Sequence, residues 1–216
     1  KKKGRQGAAE FFQAAFLLAA QEAVRIGGHI QQQKARAVQA AQQGNARAQY
    51  NLGQCYENGY GIGQDEAKAA THYQSAAAQG DTVAQMALGN LYEYGKGVKK
   101  DPEKAFRLYR QAASGQNAHG ENHVAWCYEF GVGTEKNLAE ALRWYRIAAE
   151  HGYAAAQYHL GRWYENGIGV EQSDENAAEW YARAAARGED RAQCTLGTFY
   201  AKGRGVPQNY NEAIRL

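Results

Sequence analysis

The stretch AQMALGNLYEYGKGVKKDPEKAFRLYRQAASG, residues 84–115, decides the fold. Small and apolar residues stand at Ala84, Leu88, Gly89 and Tyr92, an i, i+4, i+5, i+8 spacing that forms one face of a helix. Gly95 stops that helix, because glycine tolerates the left-handed backbone that ends helices, and Gly97 follows in the loop. Asp101 is an N-cap residue and Pro102 sits at a first helical position, where a missing N–H costs nothing. A second helix begins there, with an apolar stripe of Ala105, Tyr109, Ala112 and Ala113.

The same pattern extends outward in both directions at a fixed period. Tyr56, Tyr92, Tyr128, Tyr164 and Tyr200 are 36 residues apart, as are Gly59, Gly95, Gly131, Gly167 and Gly203. Gly61, Gly97, Gly133, Gly169 and Gly205 share the spacing, and so do the pairs Ala76-Ala77, Ala112-Ala113, Ala148-Ala149 and Ala184-Ala185. A period of this length marks stacked units, none of which buries its apolar face alone. The expected fold is all-α: a right-handed α-α superhelix, or solenoid, of about five 36-residue helix-turn-helix repeats with an N-terminal helix. Residues 1–30 form a basic tail and a capping or docking helix, and residues 31–47 a degenerate half repeat. Repeats follow at 48–83, 84–119, 120–155, 156–191 and, truncated, 192–216. The third unit departs from the pattern, with Gly120, Val124 and Ala125 where others have Ala, Leu and Gly, and with Gln116 in place of a closing Gly. The last unit stops short of its recurring Tyr, so Leu196, Tyr200, Ala213, Ile214 and Leu216 are expected to be partly bare and to favour self-association.

The run from Ala84 and Leu88-Gly89 through Tyr92, Gly95, Gly97, Val98, Asp101, Lys104, Ala105, Tyr109, Ala112 and Ala113 resembles the Sel-one-like repeat family, a cousin of the tetratricopeptide repeats. The resemblance covers residues from about Ala48 to Leu216 and implies an adaptor or scaffold. By the same resemblance, the variable positions of each first helix would line a concave groove that holds an extended or helical peptide. Those positions are Tyr50, Gln54, Met86, Asn90, Tyr94, Trp126, Phe130, Tyr158 and Arg162, rich in the aromatic, Met and Arg side chains that anchor interfaces. Glu57, Glu93, Glu129 and Glu165 form an acidic ladder one residue after each recurring Tyr. Two readings of it stand side by side, a hydrogen bond to a neighbouring element and recognition of a basic partner.

Composition narrows the function. With 216 residues, 44% hydrophobic, 25 Gly and only 2 Pro, the chain is neither disordered, collagen-like nor a polytopic membrane protein. Lys+Arg 25 against Asp+Glu 22 gives a net charge of +3, partly in the Lys1-Lys2-Lys3 tail, and no pull toward nucleic acid. Ala8 to Ile26 is the long apolar stretch, but Glu10, Glu22 and Arg25 interrupt it, so no membrane span is expected. Its Phe11, Phe12, Phe16, Leu17 and Leu18 suit a cap on the first repeat, or a docking or self-association helix. Three cysteines cannot all pair, which favours a reducing, cytoplasmic compartment; removal of a leader would place the chain in the periplasm or outside. Cys55 and Cys127 share a slot with Leu91, Trp163 and Phe199 and read as core residues.

Catalytic and cofactor chemistry finds no footing, and no catalytic, cofactor-binding or metal-ligating residue is assigned. Gly95-Lys96 continues into Gly97 rather than Ser or Thr, and Gly59 to Gln64 lacks the third glycine of a dinucleotide loop. Some helical-repeat relatives of the family resemble β-lactam hydrolases, but none of Ser75, Ser114 or Ser173 begins the Ser-x-x-Lys of such an enzyme. His119 and His123 lie at i, i+4 with Glu121 nearby, two imidazoles on one helix face and no third ligand in view. The expected function is thus a non-enzymatic protein- or peptide-binding scaffold that uses its groove. The alternative is an inhibitory, immunity or regulatory protein that blocks its partner with a terminal or convex surface.

Overall fold

Short polar residues start most of the helices, and glycines end the first helix of each unit. The computed structural model describes residues 38–60 and 62–215, so the basic tail, the capping or docking helix, most of the half repeat, Gly61 and Leu216 lie outside the described residues. After a helical turn at residues 38–42 come α1 (Ala46–Asn58), α2 (Glu66–Ala78), α3 (Thr82–Tyr94), α4 (Pro102–Ser114), α5 (Ala118–Phe130), α6 (Leu138–Glu150), α7 (Ala154–Asn166), α8 (Asp174–Ala185), α9 (Asp190–Lys202) and α10 (Tyr210–Arg215). No strand occurs among the described residues. Side-chain oxygens of Asn45, Asp65, Asp81, Asp101, Asn117, Asn137 and Ser173 each accept the N–H three residues on, satisfying a donor that the first turn leaves free. Each first helix of a unit ends on a left-handed glycine, as at Gly95 (φ 73°) and Gly131 (φ 71°). Gln116 takes a left-handed φ of 58° where Gly80, Gly152 and Gly188 close the other units, at a cost of about 1 kcal/mol.

Every first helix packs on its own second helix, and every second helix on the next first helix, so the units stack in sequence as a solenoid of about five repeats. Tyr73, Tyr109, Tyr145 and Tyr181, one per second helix, are fully buried at the centre of this stack. Gly53, Gly89 and Gly161 let the first helix lie directly on those rings: a Cβ there would stand 2.5 to 2.6 Å from ring carbons of Tyr73, Tyr109 and Tyr181. In the third unit the small residue has moved to the other side of the helix. Ala125 faces the tyrosine side, and Gly120 presses on the preceding second helix, its absent Cβ only 2.9 Å from the Ala113 amide nitrogen. The helix that reads as irregular in sequence keeps the same 13-residue length as its sisters; its packing is what differs.

The loops between first and second helices also stack. Gly97 lies against the Glu66 backbone, Gly133 against the Pro102 carbonyl and Gly205 against the Asp174 carbonyl, all too close for any side chain. Gly169 breaks the series, since a Cβ there would meet only the Trp163 ring, at 3.5 Å. Trp163 fills the slot held by Cys55, Leu91 and Cys127 in the units before it, and its indole takes up the space beneath the loop. An open surface cleft of about 710 Å³ lies beside this loop, lined by Leu142, Arg146, Tyr164, Val170 and Ser173.

The expectation of a bare last unit holds only in part. Leu196 and Phe199 are buried against Tyr181 and the alanines of α8, and Tyr200 and Ala213 are half-buried. Ile214 alone of the described members of that set is open to solvent, at 85% exposure.

Candidate functional site on the first helices

The nine positions expected to line a groove divide into three groups. Tyr50 and Met86 turn into the core: Tyr50 packs on Tyr73, with ring centroids 5.6 Å apart, and Met86 lies in a cluster with Tyr109 and Val124. These two are floor rather than contact surface. Asn90 is half-buried, with its side-chain amide 2.8 Å from the Tyr109 hydroxyl. Tyr158 is half-buried between the Tyr181 ring at 5.7 Å and the Arg191 guanidinium 4.6 Å from its centroid. Gln54 and Arg162 are half-buried, and Arg162 forms no ion pair among the described residues.

Tyr94 and Phe130 make the exposed part, with the half-buried Trp126 beside Phe130. Tyr94 is 65% and Phe130 56% exposed, and Trp126 leans on Phe130 at 5.5 Å. Tyr94 and Phe130 are the last residues of α3 and α5, a place filled in the other units by Asn58, Asn166 and Lys202. The second and third units therefore carry adjacent exposed aromatics where the fold itself is satisfied by a polar side chain.

The acidic ladder is tied into the fold. Tyr73, Tyr109, Tyr145 and Tyr181 donate their hydroxyls to Glu57, Glu93, Glu129 and Glu165 at 2.5, 2.7, 2.6 and 2.6 Å, clasping the second helix of each unit to its first. Burial, reinforced by the carboxylate beside it, pushes each of these phenols well above its ordinary pKa. Each clasp uses Oε2. The fourth unit also uses Oε1 of Glu165, which accepts Arg204 Nη1 at 3.1 Å; the same guanidinium grips Asp174 at 2.6 and 3.1 Å and lies 4.5 Å from the Phe199 centroid.

A second column of contacts links the units. Gln49, Gln85, Gln157 and Gln193 donate Nε2 to the carbonyls of Ala41, Ala77, Ala149 and Ala185, stitching a first helix to the second helix before it. Glu121 breaks this column, because a carboxylate has no proton to donate. It is buried and instead accepts from His151 Nδ1, 2.8 and 2.9 Å from its two oxygens, a contact within its own unit. Neither column was paired in the sequence reading, though Glu and Tyr recur 16 residues apart in four units and Glu121 stands in a column of Gln.

His119 and His123 meet edge to face at 4.5 Å, and His123 tilts over the Tyr109 ring at 5.0 Å. Their packing is aromatic, and among the described residues no group of three His, Cys, Asp or Glu is placed to hold a metal ion. His159 stacks on Tyr145 at 4.8 Å, and burial, with the charges of Arg162 and Arg191, lowers its pKa to about 4. Cys127 is fully buried, with its thiol pushed up to about 12 by burial and by Glu93, whereas Cys194 is exposed. No described helix is long and apolar enough to cross a membrane.

Residues 46–81, 82–117, 118–153, 154–189 and 190–216 each match the model of the Sel1 repeat. No curated protein matches the chain. Among solved structures, the protective antigen c5321 of uropathogenic Escherichia coli is 37% identical, with a TM-score of 0.77; the match covers 82% of this chain but 38% of the antigen. A Sel1 repeat protein of Oxalobacter formigenes is 38% identical over 80% of this chain and 69% of its own, with a TM-score of 0.73. A Klebsiella pneumoniae protein described as a sel1 repeat protein is similar at 25% identity, with a TM-score of 0.55 and coverage of 83% and 88%.

Proposed function

The chain belongs to the Sel1 repeat family, and from that premise we propose that it is a non-catalytic adaptor that holds a protein or peptide against the first helices of its second and third units. The exposed pair Tyr94 and Phe130 carries this reading. Asn58, Asn166 and Lys202 show that a polar residue suffices at this place, and exposed aromatics on the first helices of two successive units are contact surface of the kind that anchors interfaces. Trp126 extends the patch inward, and Arg162 lies one unit along with no ion partner among the described residues. Met86 lies in the core cluster against which Trp126 packs, which fixes the inner edge of the patch.

The test replaces Tyr94 and Phe130 together by Asn, the residue of the equivalent place in the first and fourth units. The melting temperature should hold, and proteins captured by the wild-type chain from cells that produce it should be lost. Trp180→Ala, on a second helix, should leave capture unchanged. Partners retained by the double Asn variant but lost with Trp180→Ala would move the binding surface to the other side of the solenoid and overturn the reading.

A further inference from the structure

The fourth unit shows how a guanidinium sits on the acidic ladder: Arg204 bonds Glu165 Oε1, pairs with Asp174 and lies over the Phe199 ring. The residues 36 and 72 positions earlier, Ile168 and Val132, stand 39 residues after Glu129 and Glu93, as Arg204 does after Glu165, each in the loop of the following unit, and neither can neutralise a carboxylate. Glu93 and Glu129 are 7% and 9% exposed, and each is held by a neutral tyrosine hydroxyl at Oε2. No described Lys, Arg or His lies within ion-pair distance of either, although Lys96, Lys99, Lys100 and Lys136 stand in nearby loops. A carboxylate this deep without a counter-charge is costly, and a cation brought to it is correspondingly favoured. Beside these two carboxylates, and in no other described unit, the first helix ends in an exposed aromatic residue.

We propose that Glu93 and Glu129 receive arginine side chains of the bound partner, whose neighbouring apolar residues rest on Tyr94, Trp126 and Phe130. The partner is then a basic-apolar peptide segment, and Arg204 is the internal copy of the contact that it makes. Arginine suits the place better than lysine, because its flat guanidinium both bonds a carboxylate and stacks on an aromatic ring. The inference rests on the reading of these helices as a binding face.

The experiment selects a displayed library of random 12-residue peptides on the full chain, then measures the enriched peptides by fluorescence anisotropy at low and high salt. Enriched sequences should carry arginine next to an apolar residue. Glu129→Gln keeps an acceptor for Tyr145, so its melting temperature should hold, yet it should weaken binding about tenfold and flatten the salt dependence. Glu93→Gln should act alike, Glu165→Gln should leave affinity unchanged, and citrulline in place of the peptide arginine should reproduce the loss. Peptides that are lost with the Tyr94 and Phe130 double Asn variant but indifferent to both Gln variants would leave the binding face standing and overturn the arginine assignment. A selection that enriches nothing, or peptides indifferent to all these changes, overturns both.

Discussion

Where the second unit meets the third, backbone touches backbone: Gly133 lies on the Pro102 carbonyl and Gly120 on the Ala113 amide. Where the third meets the fourth, Gly169 faces the Trp163 ring, His159 lies flat on Tyr145, and an open surface cleft of about 710 Å³ lies beside the loop. The repeating pattern is the same on both sides. Histidine packs on tyrosine at both junctions, at His123 and His159, but only the first brings a loop glycine against backbone, so a single consensus residue carries different weight at each.

Substitution of the loop glycines exposes this difference most sharply. Gly133→Ala puts a methyl into a carbonyl at a left-handed φ of 65°, and should cost about 4 kcal/mol, or a melting temperature lower by roughly 10 °C. Gly169→Ala has the same φ but meets only an indole edge at 3.5 Å, and should cost about 1 kcal/mol. Equal losses in thermal denaturation would show that both loops are held alike.

Within the third unit, His151→Ala removes the donor from a buried carboxylate and should cost about 2 kcal/mol. Glu121→Gln restores the residue found in the other units, which donates to the preceding helix, and in that background His151→Ala should cost close to nothing. A double-mutant cycle by denaturant unfolding gives the coupling directly, and additive losses would mean that the pair does not act as one.

The smallest expected effect lies at the third junction. His159 has its pKa lowered to about 4 by burial, then by Arg162 and Arg191. Its unfolded value is near 6.5, so the unfolded chain takes up the proton first as pH falls. The ring's contribution is therefore complete above about pH 6.5 and is lost progressively on the way down to 4, amounting to about 1 kcal/mol. His159→Phe keeps the stack and should flatten the fall in melting temperature between pH 7 and 4.5; an unchanged slope would place the acid sensitivity elsewhere.

The helices and their ends were legible because they depend on neighbours in the chain. Asp65 and Asp101 cap as their positions require, and Gly59, Gly95 and Gly131 turn left-handed where the periodic stripe stops. Met86 and Tyr50 looked like surface because a helix wheel shows two faces, whereas a first helix in a stack touches its own second helix and the preceding one. The ladder's anchoring was hidden for a related reason: Glu57 and Tyr73 meet only after the hairpin closes, and nothing in their spacing fixes the angle of closure. The looseness around Gly169 depends on the size of Trp163, a residue that reads as one more hydrophobe in its column.

Cys127 turns the middle of the array into a clock. A maleimide added to the folded chain meets Cys194 at the surface, whereas the Cys127 thiol is both walled in and, with its pKa near 12, almost never a thiolate. It becomes reactive only while α5 is off its neighbours. Its slow labelling in native buffer thus counts how often the second and third units part without denaturant, and gives the free energy of that opening.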